Sequence, residues 1–305
     1  MLTDMTMRLI SEIVSASKVR ADESMSRHTT FRIGGKADLL VEPAEVNQAE
    51  AVIKLLHQMK IPYMILGNGS NILVGDKGIR GVVVKLGNEF AAHDVEGSVI
   101  TAQSGIKLSR LANFALGNNL TGLEFAAGIP GTLGGAIYMN AGAYGGEMKQ
   151  IIREVTYLDE KGVRNTVKGE ECAFGYRTSI FSKMSGCVIL SCKIELQEGD
   201  PTEIRATMDD LAERRVSKQP LNLPSAGSTF KRPEGYFAGK LIQDAGLMGF
   251  QVGGAAVSTK HAGFVVNEGG ATAADVRALI EQVQIKVKEQ FGVELEPEVK
   301  FIGEF

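Results

Sequence analysis

Two glycine-rich loops stand out among the residues whose types and spacing could do chemistry. The first is Gly67-Asn68-Gly69-Ser70-Asn71, directly after the apolar run Ile61 to Leu66. Glycines allow positive φ and leave backbone N–H groups unobstructed, so such a loop can cradle a diphosphate, with Ser70 and Asn71 as further donors. It is neither a Walker loop nor a G-x-G-x-x-G opening a helix, and a plain β-turn between strands accounts for it equally well. The second, GIPGTLGGAIYMNAGAYGG from Gly128 to Gly146, holds seven glycines in nineteen residues, with few charges. Chain entropy makes that many glycines costly for a turn alone. Close approach of backbone to a flat or extended ligand is the stronger reason, and tight packing of two backbone segments is the alternative. Together the loops imply an extended ligand with a diphosphate and rings, which suggests a dinucleotide.

Single residues add less. Arg177 lies among Phe174, Tyr176 and Phe181, where an arginine is more often a snorkelling surface residue than a catalyst. Ser228 precedes Lys231 and Arg232, a grouping that binds an anion or simply caps a turn. No G-x-S-x-G elbow accompanies that serine, so a hydrolase triad is unsupported. Period-two geometry puts Glu296 and Glu298 on one face of a final strand, where carboxylates usually only solubilise. His28, His57, His93 and His261 have no metal-ligand spacing, so no metal site is expected.

The elements that must carry these residues follow from periodicity. Residues 37–76 read as strand, helix (Glu45 to Lys60, apolar at Val46, Ala49, Ile53, Leu56 and Met59) and strand, running into the first glycine loop. Short strands follow from Gly81, then a helix over Lys107 to Asn118. A hairpin turning at Glu160 to Gly162 and a strand at Val188 to Leu196 come after the second loop. A helix from Pro201 to Lys218 ends among cations, favourable at a C-terminus. The segment QPLNLPSAGS is the linker candidate. Beyond it the order is αββαβ, with helices over Tyr236 to Leu247 and after Thr272. Thr272 and Asp275 make a capping box there, and Val276, Leu279, Ile280, Val283 and Val287 form the buried face up to Gly292. The N-terminus reads as an amphipathic helix with Met7, Ile10 and Val14 inward. An α+β class is therefore expected rather than a doubly wound sheet.

Composition narrows the class. With 33 Lys+Arg against 36 Asp+Glu and a net charge of −3, the excess of cations needed by a nucleic-acid binder or polybasic membrane-surface protein is missing. Glycine is high, 36 of 305 residues, against a usual ~7%, yet low-complexity runs are absent. Three cysteines, Cys172, Cys187 and Cys192, fit a reducing compartment better than a disulfide framework. No apolar stretch approaches the ~18 residues of a membrane span, and Asp4, Arg8 and Glu12 interrupt any signal-peptide core. A cytoplasmic protein without membrane, nucleic-acid or obligate protein partner is expected.

Taken in order, HTTFRIGGKADL, GNGSNILV, GIPGTLGGAIYMNAGAYGG, FGYRTSIF, AGSTFKRP, AGKLIQDAGL, KHAGFVVN and LEPEV resemble the UDP-N-acetylenolpyruvoylglucosamine reductase (UDP-N-acetylmuramate dehydrogenase) family, over about His28 to Gly303. The resemblance implies an FAD-binding fold of the vanillyl-alcohol-oxidase type in two subdomains, 1–80 and 81–218, with a C-terminal αββαβ substrate domain at 219–305. It implies NADPH-dependent, FAD-mediated reduction of UDP-N-acetylglucosamine enolpyruvate to UDP-N-acetylmuramate, a bacterial peptidoglycan precursor. Matched motif by motif, Gly67, Asn68, Gly69, Ser70 and Asn71 would hold FAD. So would Gly128, Ile129, Pro130, Gly131, Gly134 and Gly135, then Asn140, Gly142, Ala143, Tyr144 and Gly145. Arg177 and Glu298 carry over as stabilisers of the enolate-like intermediate, and Ser228 as its proton donor. Tyr176, Lys231, Arg232 and Lys240 carry over to the substrate. An ionised carboxylate would repel an enolate, so the role implied for Glu298 requires it to be protonated or to share a proton.

The chain departs from the longer form of the family in two ways. It is too short after Ile180 to hold the loop whose tyrosine covers the substrate, and Arg232 stands where that form has asparagine. It therefore resembles the shorter form. Two other readings stay open: a flavin oxidase or dehydrogenase acting on another alcohol or sugar, and a flavin- or nucleotide-sugar-binding protein without turnover.

Overall fold

A computed structural model describes residues 4–305, which group into two compact units. The first comprises residues up to Ala21, Leu39–Asn68 and Gly81–Arg214, and the second Asp22–Asp38, Gly69–Arg80 and Arg215–Phe305. The expected N-terminal helix is present as α1 (Asp4–Ile13), its first three expected residues lying outside the described ones.

In the first unit, α2 (Val46–Gln58) buries Ala49, Val52, Ile53 and Leu56, the i, i+3, i+4, i+7 stripe of an amphipathic helix. Together with Ile10 and Val14 these pack on Leu39, Val41, Val82 and Val84. Those valines and leucines belong to a four-stranded sheet in the spatial order Val19–Ser24, Lys36–Val41, Ile79–Lys85, Tyr63–Leu66. Tyr63–Leu66 runs parallel to Ile79–Lys85, and its last residue delivers the chain to Gly67. A second core lies between α3 (Leu108–Gly117), α4 (Leu133–Tyr138) and a five-stranded antiparallel sheet. That sheet has the order Arg164–Lys168, Ile152–Leu158, Val188–Glu195, Val99–Gln103, His93–Glu96. The hairpin forms as expected, with Leu158 opposite Arg164 and Gly162 at φ +75°. Helix α5 spans Pro201–Lys218.

The second unit is built on a four-stranded antiparallel sheet ordered Ser225–Ser228, Phe264–Asn267, Ala255–Val257, Gln251–Val252. Helices α6 (Ala238–Asp244) and α7 (Ala273–Phe291) complete it. Around them Leu73, Leu241, Val276, Leu279, Ile280, Val283 and Val287 form one core. Thr272 caps α7 as its sequence requires: its side chain accepts from Asp275 N at 3.0 Å and Asp275 accepts from Thr272 N. A second carboxylate, Asp76, accepts the N–H groups of Ala273 and Ala274 at 2.8 and 3.0 Å, satisfying two more orphan donors of the helix.

The C-terminal element order is βαβββαβ, which adds strands to the expected αββαβ. The added Ser225–Ser228 has no apolar alternation to reveal it. The final strand, Lys300–Ile302, stays outside the four-stranded sheet and pairs in parallel with Ile72–Val74. No helix among the described residues is long and apolar enough to cross a membrane, and no cluster of potential metal ligands occurs among them.

Candidate active site

Within the first unit the two glycine loops meet. Asn68 Nδ2 donates to the Pro130 carbonyl at 2.7 Å. A Cβ placed on Gly67 would lie 2.2 Å from Thr132 Oγ1, so only glycine lets the strand end come this close. The second loop is pinned from below: Gly134 N donates to Ser104 O at 2.8 Å, Leu133 N to Ile106 O, and Leu108 N to Gly131 O. Of the first loop, Gly69, Ser70 and Asn71 belong to the second unit. There Gly69 is left-handed (φ +63°), with His28 O only 2.1 Å from where a Cβ would sit, and Asn71 Nδ2 donates to Glu298 O at 3.2 Å.

The glycines of the long segment serve two purposes. Gly134, Gly142 and Gly146 are packing glycines: a Cβ would come within 2.9 Å of Ser104 Cβ, 2.7 Å of Gly146 O and 2.5 Å of the Phe125 ring, respectively. Gly135 and Gly145 are open. Gly135 is exposed and a Cβ there would meet only Thr132 Oγ1, at 3.8 Å, while nothing lies within 4 Å of Gly145. Gly128 and Pro130 are exposed, Ile129, Gly131 and Ala143 partly so. The whole segment carries no Lys, Arg, Asp or Glu. An open, uncharged strip of bare backbone beside Asn68 fits an extended ligand with a diphosphate, and these residues therefore fit FAD.

Arg177 is tied to this loop. Its Nη1 donates to Gly142 O at 3.4 Å, and its guanidinium lies 5.5 Å from the centre of the exposed Tyr176 ring. Arg177 is held at φ +54°, and Asn140 and Tyr144 are also left-handed, at +46° and +53°. For a non-glycine residue that conformation costs roughly 1–2 kcal/mol, and Asn tolerates it best. Asn140 is 2% exposed, and its amide is spent inside the protein. Nδ2 donates to Glu147 Oε2 (2.9 Å) and Gly175 O (3.1 Å), and Oδ1 accepts from Lys149 N (2.9 Å). Both Nδ2 hydrogens are thus used inside the protein, and the side chain braces the loop expected to hold the cofactor.

In the second unit Ser228 ends an edge strand opposite Phe264 and is exposed. The next residue, Thr229, accepts Glu298 N at 2.8 Å through its carbonyl, so the backbones of Ser228 and Glu298 are brought together. Glu296 and Glu298 do not share a face. Glu298 is 8% exposed, whereas Glu296 is exposed and pairs with Lys231. The regular strand begins only at Lys300, and the preceding stretch touches Phe230 through an isolated bridge at Pro297, so alternation does not apply. Arg232 stacks 3.9 Å above the centre of the exposed Phe237 ring. Lys240 is paired with Asp244 along α6. Burial lowers the pKa of His261, against the opposing effect of a backbone hydrogen bond, and its Nδ1 accepts from Gly263 N at 3.1 Å. Burial pushes Cys172 and Cys187 up to about 11 and Cys192 upward too, so none is poised as a thiolate nucleophile.

Comparison with known proteins gives the family. Residues 219–302 match the C-terminal domain of UDP-N-acetylenolpyruvoylglucosamine reductase, and residues 37–167 match an FAD binding domain. The chain is 53% identical over 292 residues to the UDP-N-acetylenolpyruvoylglucosamine reductase of Clostridioides difficile, covering 96% of each. It is 54% identical over 297 residues to that of Clostridium perfringens, covering 97% of each. The chain belongs to the UDP-N-acetylenolpyruvoylglucosamine reductase family. The reductase of Thermus caldophilus has a similar structure, with a TM-score of 0.81 at 33% identity over 93% of this chain and 99% of that one. Alkyldihydroxyacetonephosphate synthase, at 14% identity and a TM-score of 0.51 over 65% of this chain and 41% of that one, shares the fold alone. The fold is thus the expected vanillyl-alcohol-oxidase type, and the chain is a flavin-dependent oxidoreductase.

Hydrogen bonds and close contacts bring in three residues that sequence reasoning missed. Thr132 gives Gly67 its reason to be glycine, and Glu147 and Gly175 receive the Asn140 amide. All three lie in or beside motifs already singled out. No periodicity or spacing separates a carboxylate that braces a loop from one that merely faces solvent.

Proposed function

We propose that this protein uses FAD to reduce UDP-N-acetylglucosamine enolpyruvate to UDP-N-acetylmuramate with NADPH as donor, in the cytoplasmic assembly of peptidoglycan precursors. The observation carrying the reading is the junction of Gly67–Asn68 with Pro130–Thr132 in the first unit. It unites two glycine loops beside an open, uncharged strip, in a chain 53% identical to a reductase of that name. FAD held by these residues would supply the hydride transfer that links NADPH to the methylene carbon of the enolpyruvyl group.

The remaining chemistry falls to the chain. Negative charge develops on the substrate's adjacent carbon and carboxylate, and Arg177 offers a guanidinium fixed before the reaction begins. Such preorganised charge is worth about 10²–10³ in rate. Ser228 Oγ donates the proton that completes the lactyl ether; an alcohol is acidic enough for a carbanion. Glu298 shares a proton at the same centre, a role compatible with its burial and closed to the exposed, ion-paired Glu296. Lys231 and Arg232 attract the diphosphate, with Tyr176 and Lys240 as further substrate contacts. In this reading residues 1–80 and 81–218 hold FAD and 219–305 hold the substrate.

Ser228→Ala tests the assignment. Flavin absorbance should bleach with NADPH as in the unaltered protein, while return of colour on adding the enolpyruvyl substrate should slow by about 10²–10⁴-fold. A flavin that NADPH does not reduce, but an alcohol or sugar does, would replace this reading with that of an oxidase or dehydrogenase. A flavin that never turns over would make the chain a binding protein.

A further inference from the structure

We infer that Asn140 and Glu147 are positioning residues for Arg177. The inference rests on the reading above, in which Arg177 acts on the substrate. Five contacts close a ring. Asn140 Nδ2 donates to Gly175 O at 3.1 Å. Gly175 and Thr178 then exchange backbone hydrogen bonds of 3.0 and 3.3 Å, a tight turn that has Arg177 inside it. Arg177 Nη1 returns to Gly142 O. Gly142 pairs across a short antiparallel bridge with Glu147. Glu147 Oε2 accepts from Asn140 Nδ2 at 2.9 Å, which completes the circuit.

The two left-handed residues of the ring, Asn140 and Arg177, sit at opposite corners. Strained conformations persist where the surroundings over-determine them, and here each is held from both sides. Glu147 is itself anchored, since its N–H donates to Gln150 Oε1 at 2.9 Å. Asn suits its corner for two reasons. It accepts the left-handed backbone, and its amide supplies both the donors needed by two oxygen acceptors and the acceptor needed by Lys149 N. Aspartate would fill the same space while setting a carboxylate against Glu147 and the Gly175 carbonyl.

The test compares half-reactions in the FAD-loaded full-length protein. Once loaded with FAD, Asn140→Asp should be reduced by NADPH at close to the rate of the unaltered protein. Oxidation by the enolpyruvyl substrate should slow about 10²-fold, as expected when a fixed group is misplaced by about 1 Å. In an Arg177→Lys background the same change should add little, because residues acting through one group are not additive. Equal slowing of both half-reactions, or full additivity with Arg177→Lys, would overturn the inference. If Asn140→Asp does not load FAD at all, Asn140→Gly, which keeps the left-handed backbone without adding charge, carries the same comparison. Should Arg177→Lys alone leave turnover intact, the role of Arg177 fails and takes this inference with it. Should it damage turnover while both Asn140 variants do not, only the inference falls.

Discussion

The glycine segment of the first unit and the Ser228–Glu298 region of the second prepare for chemistry in opposite ways. From Gly128 to Gly146 the chain presents bare backbone, carries no ionisable Lys, Arg, Asp or Glu, and holds Asn140 and Tyr144 in left-handed conformations. Around Ser228 it presents charged and aromatic side chains, most of them outside regular strands, with Lys231 paired to Glu296 and Arg232 stacked on Phe237. A loop that must let a large ligand approach closely gains by deleting side chains, and strain is tolerated because the loop is braced on every side. A surface that must recognise charge gains by keeping them. For the stability of the first region, therefore, small changes of volume at its glycines should matter more than changes of polarity. In the second the ranking should be reversed.

The largest stability effect should come from Gly142→Ala. Its Cβ would meet Gly146 O at 2.7 Å and Glu147 Cβ at 2.9 Å, so the short bridge must spread. Overpacking of this kind costs about 1–3 kcal/mol, readable as a lower urea midpoint of the flavin-free protein. Ser228→Ala, on an exposed site, should shift that midpoint by no more than about 0.5 kcal/mol. Equal losses from both variants would erase the distinction between the two regions.

A smaller effect, of opposite sign, sharpens the division within the glycine segment itself. Gly135→Ala adds a methyl group where only Thr132 Oγ1 stands at 3.8 Å, and it lies inside α4. Helix propensity should stabilise the flavin-free protein by up to about 1 kcal/mol, while FAD affinity measured by fluorescence quenching falls. Gain in both would mean that this open face is not where the ligand lies.

The smallest effect concerns pH in the second unit. Burial holds the folded His261 pKa below its ordinary value of 6.5, so the unfolded chain binds more protons below that pH. Stability from this group is present above pH 6.5 and is lost as pH falls through the folded value. The urea midpoint of the unaltered protein should drop between pH 7 and pH 5 more than that of His261→Asn. Parallel curves would show that His261 does not titrate differently on folding.

How much of this was legible follows from what each signal depends on. Helix α7 could be read in full, cap and closing Gly292 included, because its face repeats over nineteen residues and its cap is local. The two glycine loops could be found, but not the division of their glycines, since Gly134 and Gly135 are neighbours with opposite surroundings. Strand Ser225–Ser228 was hidden because its stability comes from pairing with Phe264–Asn267 rather than from its own side chains. Glu296 and Glu298 were misjudged because alternation assumes a pleated strand, and theirs has not yet begun.

Local chemistry in the sequence determined the helices, the glycine loops, the charge balance and the family resemblance, because each depends on residues near in the chain or on their order along it. Tertiary structure alone decided that Gly67 meets Thr132, that Asn140 spends its amide on Glu147 and Gly175, and that Glu298 is buried while Glu296 is not. Those outcomes depend on contacts between segments distant in sequence. A hydrogen bond or a Cβ clash is set by distances of a few tenths of an ångström, which residue order does not encode.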